Sequence, residues 1–359
     1  SFIINLVQGN SIVSIVSPKF GRSLSVSLLA IATSIASLSA TQLAAENTMV
    51  VAAPFGPKSS IPDPRARQNG WLSNRAGVSE TLIGLGYDMS MQPRLAVSYE
   101  NLSPNEWQLT LRDGVTFHDG TPVTAQSVKE SFAKLDVEGH AAHNPRLSKL
   151  LGIADIQTPD DKTLIFTTKE PNSAFLWSLT EPSAAVMKEG TDALPLIGTG
   201  PFVFVKAEAE KSYEVKGFAD YWGGAPKLDK LKIDAISDPS VAALALQAGD
   251  VDLVTNYPEP DFAKLKESGE GQLFAGATTR LFFFQPNMTD GPLANPALRE
   301  AVSLGLDRET IVAAALVGVG GSPANALFPA NMASWANADL SLPYDPTKAA
   351  EVLDAAGIT

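Results

Sequence analysis

Strand-forming and helix-forming patterns take turns along this chain from Thr48 to Gly357, with no internal repeat and no long linker. That interleaving constrains the fold most, because strands and helices that alternate in sequence must pack as shared layers. Thr48–Ala53 (TMVVAA) is a short apolar run and predicts a buried first strand. Trp107–Leu111 (WQLTL) alternates, turns at Arg112-Asp113-Gly114 and continues as Val115-Thr116-Phe117. After the turn His118-Asp119-Gly120, Thr124 caps a helix over 125–135, with Val128 and Phe132 four residues apart. Further strands are expected at Leu164–Thr168, Phe202–Val205, Leu231–Ile236, Val251–Val254 and Leu281–Phe284. Helices are expected at Ser173–Leu179, Ser240–Ala248, Phe262–Glu267, Asn295–Leu306, Arg308–Val317 and Thr347–Ala356. The last one has Asp345 as N-cap and Pro346 in its first turn. Val352, Leu353 and Ala356 share its face, and Gly357 is its stop. The expected class is α/β.

At 359 residues the chain is long enough for two or three domains. Its net charge of −12 repels phosphate and argues against nucleic acid as a partner. The absence of cysteine excludes disulfides, thiolate zinc sites, cysteine nucleophiles and a lipid-anchoring cysteine. Lys19 and Arg22 are the only charges before Glu46, and Ser23–Ala45 is uncharged. A basic start, an apolar stretch through Leu24, Leu28, Leu29 and Ile31, and small residues after it read as a secretory signal peptide. Cleavage is expected between Ser39 and Ala45. Ser, Thr and Gln fill nine of the 23 positions, which argues against a membrane span. Ser1–Ser17 form an atypical extension without a starting Met, and no role of their own is expected for them. The chain ends two residues after Gly357, leaving a helix whose apolar face has no following partner, so a C-terminal truncation is expected.

Several segments in order resemble the bacterial extracellular solute-binding proteins of family 5, the oligopeptide-, dipeptide- and nickel-binding subunits of ABC importers. They are Trp107–Pro122 (WQLTLRDGVTFHDGTP), Thr124–Phe132, Gly198–Phe202 (GTGPF), Tyr221–Leu231 (YWGGAPKLDKL) and Ala245–Val254 (ALQAGDVDLV). Asn295–Ile311 (NPALREAVSLGLDRETI), Pro329 and Tyr344–Gly357 (YDPTKAAEVLDAAG) follow. The resemblance implies a two-lobed periplasmic binding protein of type II with a subdomain inserted in lobe I. Residues 1–45 would be the signal region, 46–91 and 195–280 lobe I, 92–194 the inserted subdomain, and 281–359 an incomplete lobe II. A hinge is expected near Thr278–Asn287. It further implies a monomer that captures a short peptide or similar polar solute in the periplasm. The loaded protein would pass its ligand to an inner-membrane permease, with no cofactor and no catalysis. A nickel or metal-chelate ligand is the alternative within the family.

The resemblance places cleft residues in the loop Pro62–Arg75, which carries Arg65, Arg67, Asn69, Trp71 and Arg75. Trp71 offers a flat apolar face with one N–H donor, and the arginines can grip carboxylates in bidentate fashion. Nickel-binding relatives carry Pro-Arg-Pro where this chain has Thr180-Glu181-Pro182, so Glu181 suits a ligand amine or a second cation, or caps a turn. His140 and His143 form H-A-A-H, a spacing that can share a metal if helical, though Gly139 and Asn144-Pro145 point to a loop. His118 is expected to be structural. The expected ligand residues are Asn69, Trp71, Arg75, His143 and Glu181, with no metal site. A secreted metal-dependent hydrolase using His140 and His143 is the competing class, but H-A-A-H lacks the Glu of H-E-x-x-H. No nucleophile elbow or Walker A loop occurs.

Overall fold

The computed structural model describes residues 14–16, 46–66, 68–86, 89–269, 271–274, 281–316, 321–324 and 343–358. In chain order, β1 (Ser14–Val16) and β2 (Thr48–Ala53) precede α1 (Gln68–Arg75). The hairpin β3 (Ile83–Leu85) and β4 (Met91–Pro93) is followed by β5 (Ala96–Ser103) and β6 (Glu106–Leu111). Then come α2 (Ala125–Ala133), α3 (Pro145–Leu151), β7 (Ile153–Gln157), β8 (Thr163–Thr168) and α4 (Phe175–Ser178). β9 (Phe202–Glu208), β10 (Ser212–Gly217) and β11 (Lys230–Ala235) lead to α5 (Pro239–Ala248). β12 (Leu253–Val254), α6 (Phe262–Ser268) and β13 (Gln272–Phe274) follow, and after them α7 (Pro296–Gly305), α8 (Arg308–Leu316) and α9 (Pro346–Ala355).

β2 lies inside a seven-stranded sheet of order β13-β1-β12-β2-β11-β10-β9 and is parallel to both of its neighbours. A strand there meets apolar layers on both faces, which is why TMVVAA carries no polar alternation. The strand period of two sends Val51 and Ala53 into a layer with Leu72, Phe204, Tyr213 and Ile233. Ala52 points the other way, to Ala242, Leu246, Val254 and Phe262. α5 supplies that second layer. Asp238 caps it by accepting from the Ser240 and Val241 amides, and Gly249 ends it in the left-handed region (φ 82°).

A second sheet, β5-β6-β8-β7, is antiparallel throughout. It packs α2, α3 and α4 around Leu109, Phe132, Leu147, Phe166 and Phe175. Each fully buried Phe or Leu there contributes about 1.5–3 kcal/mol. This core also takes in Leu82, Ile83 and Ile197, so it reaches across the chain's entry to and exit from this unit.

The structure departs from expectation in four places. Val115–Phe117 is not a strand, since it makes only an isolated bridge from Thr116 to Pro122. Leu281–Phe284 forms no strand and pairs with no described strand, and its three phenylalanines are 67–70% exposed. A run that apolar reads as core from sequence because it wants a partner, and the described residues supply none. α9 does have a partner, but an earlier one: Ala349, Val352 and Leu353 pack on Ala301 and Leu304 of α7. Within Ser1–Ser17, residues 14–16 form a strand antiparallel to both β12 and β13. The rest of the signal region, residues 278–280 of the expected hinge, Arg67 and Pro329 lie outside the described residues. No helix among the described residues is long and apolar enough to cross a membrane.

Candidate functional site

The loop before α1 is fixed by an internal ion pair. Asp63 accepts from the Arg65 amide (2.9 Å), Nε (3.0 Å) and Nη2 (2.8 Å), and both side chains are buried. Arg65 Nη1 donates to the Ser131 carbonyl of α2, and Asn144 Nδ2 donates to the Arg65 carbonyl. Arg65 is therefore not a cleft arginine. A guanidinium this deep needs a carboxylate and fixed acceptors, and it finds them within two residues and on α2.

Gly70 lets α1 dock onto the 3-10 turn Pro182–Ala184. A Cβ there would come within 2.9 Å of the Ser183 nitrogen and 2.5 Å of the Pro64 oxygen. That docking brings the sequence-predicted residues of α1 beside the turn that Glu181 opens. Asn69 is buried, and its Oδ1 accepts from the Lys58 amide (3.3 Å), so it serves the loop. Trp71 is 44% exposed, and the Arg75 guanidinium lies 5.1 Å from its ring centre, one helical turn on. Glu181 makes no side-chain cap bond. Its carboxylate instead lies 3.8 Å from Arg146 Nη1 of α3. His143 is half-buried immediately before Asn144, the N-cap of α3. α1 thus carries an exposed ring with an arginine over it, and the turn it docks on opens with a carboxylate paired to Arg146.

His140 of H-A-A-H has partners of its own. His140 Nδ1 accepts from the Ala142 amide (3.0 Å), which leaves Nε2 protonated and directed at Glu189 (3.3 Å). Residues 137–144 form a loop with turns at 138–139 and 141–142, as Gly139 and Asn144-Pro145 implied. Among the described residues, no group of three His, Asp or Glu is placed to hold a metal ion. The hydrolase reading therefore finds no ligand set here.

Sequence reasoning missed a buried cluster around Glu80. Glu80 is 8% exposed. It accepts from Thr199 Oγ1 (3.0 Å), Trp222 Nε1 (3.0 Å) and Tyr221 Oη (2.9 Å). Burial pushes its carboxyl above the usual range, and the Trp222, Tyr221 and Thr199 donors with nearby Arg94 pull it back. His118 grips the segment that carries Thr199. Its Nδ1 accepts from the Gly198 amide (3.2 Å) and its Nε2 donates to the Gly200 carbonyl (3.0 Å). Burial lowers its pKa to about 4, so it is neutral at physiological pH. Gly198 and Gly200 must be glycine: a Cβ on either would sit 2.0–2.1 Å from the Val78 or Gly77 carbonyl oxygen. The GTGPF and YWGG segments were visible in sequence, whereas Glu80, a lone acid in VSETL, carried no signal.

The profile described as "Bacterial extracellular solute-binding proteins, family 5 Middle" matches residues 90–359. The glutathione-binding protein GsiB of Salmonella typhi is 31% identical over 285 residues, covering 77% of this chain and 55% of that protein. The chain thus spans about half the length of the curated relatives it matches. The nickel ABC transporter structure from Bacillus halodurans superposes with a TM-score of 0.71 at 26% identity, covering 87% of this chain and 64% of its own. The Escherichia coli murein tripeptide binding protein MppA shares the fold, with a TM-score of 0.68 at 23% identity and coverages of 88% and 67%.

Proposed function

The chain belongs to the bacterial extracellular solute-binding proteins of family 5, and we propose that it captures a short peptide or similar zwitterionic solute for an ABC importer. The observations that carry this reading are the Arg75–Trp71 stack on α1, whose Gly70 packs on the turn 182–184, and the Glu181–Arg146 pair at the head of that turn. The indole gives an apolar platform, the arginines take ligand carboxylates, and Glu181 takes an amine. An acid at position 181 favours a cationic group on the ligand over an anionic metal chelate. Capture needs no covalent step, and the described residues at this surface include no paired nucleophile and base. We read residues 46–91 and 195–280 as lobe I, 92–194 as its insertion and 281–359 as part of lobe II. Export by a signal peptide within residues 1–45, a periplasmic location, a monomeric state and delivery to a membrane permease complete the proposal.

The test is native mass spectrometry and calorimetry of the exported protein. The probes are dipeptides, oligopeptides, glutathione and nickel with histidine. A peptide that binds, exchanges and is released unchanged is the expected result, with Trp71→Ala weakening it about tenfold or more. Binding that is equally strong in Trp71→Ala, or hydrolysis of the peptide, refutes the proposal.

A further inference from the structure

Two arginines beside the Glu80 cluster leave most of their donors unused. Arg112 directly follows β6, and its guanidinium carbon lies 4.3 Å from the ring centre of Trp222. Stacking uses the face of a guanidinium and leaves its edges for acceptors. Nε is taken, since it donates to the Arg94 carbonyl (2.9 Å). Nη1 and Nη2 find no acceptor among the described residues. Arg94 is exposed between β4 and β5, and its stem lies back across Gly84 of β3. A Cβ at Gly84 would come within 2.7 Å of Arg94 Nε, 3.0 Å of its Cγ and 3.4 Å of its Cδ. A glycine there keeps that bed open for the stem. The Arg94 guanidinium has no acceptor of its own among the described residues.

Both arginines act on the same buried groups. The Arg94 charge favours the Glu80 carboxylate, and Arg94 and Arg112 both act on the Tyr221 hydroxyl. Glu80 has no oxygen to spare for them. Its Oε2 accepts from Thr199 and Trp222, and its Oε1 accepts from Tyr221. Asp113, the neighbour of Arg112, pairs with Lys162 instead. Elsewhere in this chain of net charge −12, Arg65 has Asp63 and Arg146 has Glu181. Here two cations share one carboxylate whose oxygens are already used. An external anion fits that surplus, and its geometry follows from the two forks. A carboxylate presents its two oxygens in one plane, toward one guanidinium. A tetrahedral oxyanion can offer one oxygen pair to the Nη edge of Arg112 and another oxygen to Arg94.

We infer that Arg94 and Arg112 form a binding site for a doubly charged tetrahedral oxyanion of the phosphate class. The site shares no residue with the α1 surface and does not depend on the importer reading. The test titrates sodium phosphate, sulfate, acetate and chloride into the whole chain at constant ionic strength and neutral pH. NMR follows the arginine Nε–H signals, which Arg94→Lys and Arg112→Lys assign. Phosphate and sulfate are expected to saturate one site and to move the Arg94 and Arg112 signals together, with acetate about tenfold weaker. Arg94→Ala changes an exposed side chain and keeps the backbone carbonyl that holds Arg112. It should weaken phosphate about tenfold or more. Gly84→Ala displaces the Arg94 stem and should weaken phosphate several-fold, whereas Trp71→Ala should leave it unchanged. No saturation by about 20 mM phosphate overturns the inference. So do equal shifts with chloride, an affinity unchanged in Arg94→Ala, or binding lost in Trp71→Ala, which would place it on the α1 surface. Failure of the importer reading would instead show as peptide capture that ignores Trp71.

Discussion

Glu80→Ala is the perturbation that most directly tests how the two cores are joined. The carboxylate ties the outgoing segment 78–82 to the returning segment 197–200 and to Tyr221 and Trp222. Alanine leaves three donors without an acceptor. Each orphaned donor costs about 1–3 kcal/mol when sealed from water. Tyr221 is only partly buried and can recover a water, and removing a buried charge returns some desolvation energy, so the sum falls near the low end. We expect a loss of about 3 kcal/mol, and about 6–12 °C in Tm for a unit of this size. Glu80→Gln keeps the shape and one strong acceptor and should lose about 1 kcal/mol.

The pH dependence supplies a second, independent readout. Because burial raises the folded-state pKa of Glu80, the folded protein holds this proton more tightly than the unfolded chain. Its contribution is then fully present below the unfolded carboxylate pKa and falls as pH rises through the folded value. Glutamine cannot titrate, so the gap between Glu80→Gln and wild type should be widest in acid and narrow toward neutrality. Urea unfolding of the three proteins, followed by tryptophan fluorescence, measures both effects. An alanine variant within about 0.5 kcal/mol of wild type would refute the orphaned-donor argument. Parallel pH profiles for wild type and Gln would refute the assignment of a raised pKa to this group.

Three further outcomes follow from the same geometry. His118 has its pKa lowered from 6.5 to about 4, so its share of stability is present above the unfolded value and disappears as pH falls through about 4. The swing is about 3 kcal/mol at most, and a non-titrating His118→Gln should flatten that limb of an acid-unfolding curve. Gly200→Ala puts a methyl 2.1 Å from the Gly77 oxygen and should abolish soluble expression or cost about 3 kcal/mol or more, whereas the exposed Gly305→Ala should be tolerated. Arg65→Ala leaves Asp63 buried beside no cation and should cost about 3–5 kcal/mol in the same unfolding assay.

Elements were legible where local chemistry and tertiary burial agree. TMVVAA reads as a buried strand because both of its faces are covered. α5, α7 and α9 each start with an acid or Asn cap followed by proline, of which the Asp345 cap was expected and those at Asp238 and Asn295 are added by the structure. The same grammar was misread once. Asn144-Pro145 points to a loop in sequence, yet Asn144 accepts from the Leu147 amide and Pro145 opens α3. β5 (AVSYENLS) gave no strand signal because it is an edge strand with nearly every side chain in solvent, so no face selects for apolar residues.

Site residues were legible as chemistry but not as environment. Arg65 and Arg75 occupy one loop-and-helix segment and look alike in sequence. The first lies inside against Asp63, the second outside over Trp71, because a buried guanidinium needs the partner that Asp63 provides two residues earlier. Glu80 and Glu181 differ in the same way. Glu181 was noticed because it departs from a known pattern, and it sits at the surface in a loose pair with Arg146. Glu80 breaks no such pattern, yet it meets three donors that arrive from positions 199, 221 and 222. No window of sequence around residue 80 contains them. A carboxylate reads as a site when its partners are neighbours in the chain, and it becomes invisible when the fold must first bring its partners from more than a hundred residues away.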